Sequence, residues 1–131
     1  MFKINPRSIN FARSFSQSLR LRQVQEIESV DQYRKLIANE GLTFIDFYAT
    51  WCGPCKAIEP IINKLSEKVP EISFARVDVD QQTEIAKING ISAMPTLILY
   101  KDGGPLDGVI GADIKKIMEK LSLHSGKEVK L

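Results

Sequence analysis

Leu42-Thr43-Phe44-Ile45-Asp46-Phe47-Tyr48-Ala49-Thr50-Trp51-Cys52-Gly53-Pro54-Cys55-Lys56 holds both cysteines of the 131-residue chain and its only tryptophan. Residues 42–49 are nearly all apolar, the pattern of a central strand covered on both faces. Beyond them, Ile58, Ile61, Ile62 and Leu65 recur at spacings of three and four, which predicts a helix over 52–68. Pro60 falls inside that helix and is expected to kink it, because it removes a backbone bond. The two thiols stand at i and i+3, share a helical face, and can close a disulfide with little backbone movement. A strand that delivers a Cys-x-x-Cys pair to a helix N-terminus is the layout of a redox motif.

Outward from this unit, Val24 and Ile27 suit an edge strand. Asp31 is the expected N-cap of a helix reaching about Asn39, with Tyr33, Leu36 and Ile37 inward and Gly41 past its end. Residues 72–79 alternate with period two and predict a strand. A short helix is expected over 81–89, with Ile85, Ala86 and Ile88 inward and Gly90 as its stop. Residues 96–100 predict a strand, and Asp102-Gly103 a hairpin turn into another over 106–110. The final helix, 113–123, places Ile114, Ile117, Met118 and Leu121 on one face, and 124–131 reads as a frayed polar end. The order βαβαβαββα predicts an α/β fold, a mixed sheet of about five strands flanked by four helices.

Composition bounds the rest. At 44% hydrophobic and 26% charged, the chain suits one soluble domain. Its net charge of +2 hides a division. Lys3, Arg7, Arg13, Arg20 and Arg22 lie in residues 1–23 with no acid, leaving 13 basic and 16 acidic side chains, a net −3, from residue 24 on. The domain therefore offers no basic surface for nucleic acid. Residues 1–23 are rich in Arg and Ser, with Phe11, Phe15 and Leu19 on one helical face, the composition of an organellar transit peptide. We expect a mitochondrial presequence over 1–23 and a single domain over 24–131. No apolar run suits a secretory signal or membrane insertion, and Val129-Lys130-Leu131 misses the peroxisomal Ser-Lys-Leu address.

One cysteine pair without a secretory signal points to redox or metal chemistry rather than to a structural staple. Structural zinc needs four ligands, and only His124 is left to join the pair, so no metal is expected. Cys52 begins a helix, where free N–H groups and the dipole favour a thiolate. Asp46 is an acid in an apolar central strand, and its burial should raise its pKa. His124 reads as a solvated tail residue, and Lys115-Lys116 as a solvated helix face.

With Trp51-Cys52-Gly53-Pro54-Cys55 after the second strand, Asp46 within it and Met94-Pro95-Thr96 before the fourth, residues 24–123 resemble the thioredoxin family. With the basic leader, the whole chain resembles its fungal mitochondrial members. The resemblance implies a thioredoxin fold and a protein-disulfide reductase working by dithiol exchange, with Cys52 as nucleophile and a more buried Cys55 as resolving thiol. Asp46 would accept the proton of Cys55, while Gly53-Pro54 biases the pair toward reduction. It further implies a cis Met94-Pro95 bond, a Met94 backbone free to pair with substrate, and an apolar rim of Trp51, Gly90, Ile91, Ala93 and Gly111. Gly111 is expected to admit a closely approaching backbone. Arg76 stands where many relatives carry a lysine paired with the acid, and should lower the Asp46 pKa. Tyr48 replaces a second tryptophan with little expected effect. No cofactor would be bound, NADPH acting only through a thioredoxin reductase. The expected partners are that reductase and disulfide clients such as peroxiredoxins; the chain is expected to be a monomer of the mitochondrial matrix.

Overall fold

Side-chain alternation along β2 (Thr43–Tyr48) sets up the architecture: Phe44 and Asp46 point to one face of the sheet, Ile45 and Phe47 to the other. The structure is a computed structural model describing residues 24–131, so the expected presequence lies outside the described residues. The remaining elements are β1 (Gln25–Glu26), α1 (Val30–Ile37), α2 (Gly53–Lys68), β3 (Ser73–Asp78), α3 (Thr83–Ile88), β4 (Thr96–Lys101), β5 (Gly104–Ile110) and α4 (Ile114–Ser125). They build a five-stranded sheet in the order β1-β3-β2-β4-β5. β1 and β2 run parallel to β3, while β4 is antiparallel to β2 and to β5. The mixed α/β sheet with four helices is the fold anticipated from the pattern.

Two cores follow from the alternation. On the first face, Phe44, Phe74, Leu97, Leu99 and Val109 pack against Ile58, Ile62 and Leu65 of α2 and Ile117 and Leu121 of α4. On the second, Ile45, Phe47, Ala75, Val77 and Tyr100 meet Tyr33 and Ile37 of α1 and Ile85 of α3. Asp46 shares its face with Phe44, so it lies on the side covered by α2.

Local details depart from expectation for identifiable reasons. Ser29, not Asp31, caps α1: its hydroxyl accepts from the Gln32 N–H at 3.0 Å, while Asp31 sits in the first turn and pairs with Lys35 at 3.1 Å. Pro60 falls inside α2, where the sequence placed it. α3 is shorter than the pattern implied, and Ile88, expected inward, is exposed. The Asp102-Gly103 turn has positive φ at both residues (55° and 86°), as a tight hairpin requires. β5 starts at Gly104, and Pro105 is tolerated because β5 is an edge strand.

The C-terminal end is not frayed. Val129 is buried in the first core, its N–H donates to Ser122 Oγ at 2.9 Å, and Lys127 pairs with Glu71 at 3.0 Å. His124 is not a free tail residue either: within α4, its Nε2 lies 2.8 Å from Asp107 of β5, which also binds Lys120 at 3.0 Å. Lys115 and Lys116 are exposed, as read.

Candidate active site

β2 ends at Tyr48, and the chain turns through Ala49-Thr50-Trp51 into α2. Cys52 is the N-cap of α2, and Pro54 occupies the first turn, where a missing N–H costs nothing. Cys52 and Cys55 are joined by a disulfide, with Cα atoms 5.3 Å apart. The Cys55 backbone N–H donates to Cys52 Sγ at 3.2 Å, so the helix terminus already directs a donor at that sulfur. Exposure does not separate the pair, at 5% for Cys52 and 4% for Cys55. Surroundings do. Cys52 Sγ lies 3.7 Å from the Met94 carbonyl oxygen, whereas Cys55 lines a cavity that is partly open to solvent.

That cavity, about 260 Å³, is lined by Asp46, Tyr48, Ala49, Thr50, Cys55, Lys56, Glu59 and Arg76. Asp46 is buried, and its Oδ1 has no hydrogen-bond partner among the described residues. Burial pushes its carboxyl up to about 7; Arg76 opposes the rise, and Glu59 and Glu26 add to it. Arg76 lowers the Asp46 pKa, as expected, but it does not pair with this acid. The two residues stand opposite each other in the β2–β3 register, but Arg76 Nε lies 2.9 Å from Glu26 and its NH1 binds Glu59. The guanidinium also stacks 4.3 Å from the centre of the Tyr48 ring.

The loop before β4 closes the other side of the disulfide. Met94-Pro95 is a cis peptide bond, and Met94 packs against the cysteines. The Gly111 N–H donates to the Pro95 carbonyl at 2.8 Å, and Thr96 Oγ1 to the Ala93 carbonyl at 2.6 Å. Gly111 is required by its φ of 98° and not by crowding, since a Cβ there would meet nothing within 4 Å. Gly90, at φ 63°, turns the chain out of α3 for the same reason. Gly90 and Ala93 are exposed, while Ile91 is half-buried. Trp51 is 68% exposed, a surface position rather than a core one.

Three contributors were missed from sequence. Asp80 accepts from Trp51 Nε1 at 2.9 Å and fixes the indole beside the disulfide. Glu59 follows Cys55 by one helical turn, a spacing that could have flagged it. Glu26 reaches the site only through the order of strands, and carries no sequence signal. Among the described residues, no group of three or more His, Cys, Asp and Glu side chains is placed to hold a metal.

Comparison with known proteins agrees with this geometry. A family model described as Thioredoxin matches residues 23–122. The chain belongs to the thioredoxin family. Its members are oxidoreductases that act by dithiol–disulfide exchange, and the Cys52–Cys55 disulfide is the redox pair of this one. The chain is 42% identical over 122 residues to mitochondrial Thioredoxin-2 of Schizosaccharomyces pombe, covering 93% of this chain and 92% of that one. It superposes on the thioredoxin Mala s 13 of Malassezia sympodialis with a TM-score of 0.76 at 43% identity, covering 78% and 90% of the two chains. A chain from a structural study of the thiol resolving mechanism in yeast mitochondrial 1-Cys peroxiredoxin via glutathione/thioredoxin systems gives 0.73 at 36% identity, covering 76% and 93%.

Proposed function

We propose that this thioredoxin reduces protein disulfides in the mitochondrial matrix, is recharged by an NADPH-dependent thioredoxin reductase, and serves redox homeostasis there. The observation that carries the chemistry is the single cavity shared by Asp46 and Cys55 beneath the disulfide. In the reduced protein, the Cys52 thiolate is favoured by the terminus of α2 and attacks one sulfur of the substrate disulfide. A Cys52–substrate bond forms, and the other substrate sulfur leaves as a thiolate. Asp46 then takes the Cys55 proton, directly or through a water, and the Cys55 thiolate attacks Cys52 Sγ. The intramolecular disulfide forms, the bond to substrate breaks, and the released thiolate takes a proton from solvent. The reductase returns two electrons and two protons, so NADPH is consumed on the reductase and no cofactor is held here.

Gly53-Pro54 stiffens the dithiol turn and biases it toward reduction. Trp51, Gly90, Ile91, Ala93, Met94, Pro95 and Gly111 form the docking rim, where an extended client segment pairs with the Met94 backbone. Location rests on the basic, acid-free composition of residues 1–23, read as a presequence, and on the mitochondrial relative. Peroxiredoxins are favoured clients because a similar chain comes from the peroxiredoxin study. The test is Cys55→Ser expressed in mitochondria, which stalls the reaction at the mixed disulfide. Thiol-cleavable adducts with the reductase and peroxiredoxins are expected; their absence, with the protein present in the matrix, overturns this assignment.

A further inference from the structure

We propose that Glu26, Glu59 and Tyr48 form a clamp that turns the Arg76 guanidinium away from Asp46, making Arg76 and Glu59 positioning residues for proton transfer at Asp46. The inference rests on the reading of Asp46 as the acceptor of the Cys55 proton.

A charged row crosses the first face of the sheet. Glu26 of β1 is registered with Arg76 of β3, and Arg76 with Asp46 of β2; the next neighbour, on β4, is the apolar Leu97. From register alone, the cation has an acid on each side and can choose either. Three contacts decide the choice. Nε lies 2.9 Å from Glu26 Oε1, NH1 binds Glu59 Oε2 from the overlying helix, and the guanidinium plane lies over the Tyr48 ring. Tyr48 is itself fixed, because its hydroxyl donates to the Glu26 carboxylate at 2.9 Å. Two carboxylates and an aromatic face hold the guanidinium, by a hydrogen bond at NH1 and by charge at Nε, which lies near Glu26 but makes no hydrogen bond, and a planar guanidinium gains from that arrangement what a point charge would not. Burial alone would pull the Arg76 pKa down, but its contacts with Tyr48 and Glu59 hold it up.

On the Asp46 side, Oδ1 is left buried and unpartnered. Every charged or titratable group facing the cavity is accounted for: Cys55, Lys56 and Glu59 from α2, Arg76 from β3, and Tyr48 from β2, with Glu26 of β1 behind Arg76. Glu59 therefore acts twice. It repels charge on Asp46, and it holds the neutralising cation elsewhere. Released, Arg76 would turn to the free carboxylate oxygen, and Asp46 would become a poorer proton acceptor near neutral pH.

The test is titration of the Asp46 side-chain carboxyl by carbon-13 NMR in the oxidised protein, for wild type, Glu59→Gln and Arg76→Met. This readout involves no turnover. The clamp predicts opposite displacements: Glu59→Gln lowers the Asp46 midpoint by about one pH unit, and Arg76→Met raises it by a similar amount. Midpoints that stay at the wild-type value, or that both move the same way, overturn the proposal. If Arg76→Met does not fold, Glu26→Gln, which loosens the same cation, must lower the midpoint, and a midpoint that stays or rises overturns the clamp. The resolution rate of a Cys52 mixed disulfide is then measured against pH in the same proteins. A rate–pH midpoint that follows the carboxyl supports the link to proton transfer. If Asp46→Asn resolves at the wild-type rate, the proton-acceptor reading fails, and the NMR displacements still decide the clamp.

Discussion

Asp46 and Cys55 line one cavity from opposite sides, the acid rising from the central strand and the thiol descending from the first turn of the helix that covers it. Neither contact nor distance along the chain dictates this meeting. It follows from β2 sending its even-numbered side chains to the face on which α2 packs.

The buried acid has a thermodynamic consequence. A carboxyl of ordinary pKa 3.8 raised to about 7 is neutral in the fold over a range where the unfolded chain is ionised. Its contribution to stability is intact below pH 3.8 and is lost as pH rises through about 7, at a cost on the order of 4 kcal/mol. Asp46→Asn should therefore be more stable than wild type at pH 8, with the difference shrinking toward pH 4. Urea denaturation of both proteins across that range measures it.

Asp107 gives the opposite sign. Bonds from His124 and Lys120 lower its carboxyl to about 2, so it stabilises the fold above the ordinary carboxylate range, and that stability is lost as pH falls through about 2. Asp107→Asn should lower stability at neutral pH and flatten its fall in acid. Thermal unfolding at pH 2 to 7 checks this, and the two proteins should converge at the acid end.

The docked C-terminus predicts a packing loss. Val129 is 4% exposed within the first core, so Val129→Ala should cost about 2 kcal/mol, by lost burial plus the space left behind. Equilibrium unfolding measures the loss, and active-site chemistry should be unaffected because Val129 lies by α4, away from the disulfide.

Trp51 is exposed and tied to Asp80, so it adds little core packing, and its proposed place in the docking rim sets the prediction. Trp51→Ala should leave stability within about 0.5 kcal/mol of wild type while raising the KM for a protein disulfide several-fold. Asp80→Ala should produce a smaller change in the same direction. Steady-state reduction of insulin, with a small disulfide as control, separates docking from chemistry.

What the sequence disclosed depended on the range of the interaction. The periods of 42–49 and 58–65 named a strand and a helix because each element's own neighbours bury it. Asp46 stood out because an acid inside that strand violates the local pattern. The cap of α1 falls at Ser29 rather than Asp31 because both are good cap residues, and the local pattern does not choose between them. His124 and Val129 read as a solvated end because their partners, Asp107 and the first core, are brought to them only by folding. The diversion of Arg76 was hidden for the same reason. Glu26 and Glu59 become its neighbours through strand order and helix packing, which no local pattern encodes.

The central claim is reduction of protein disulfides through Cys52. Its most direct test is the rate of insulin reduction by the full chain and by Cys52→Ser, assayed with the same electron donor. Wild type is predicted to accelerate the reaction while Cys52→Ser stays at the rate of the donor alone; equal acceleration by both proteins would contradict the account.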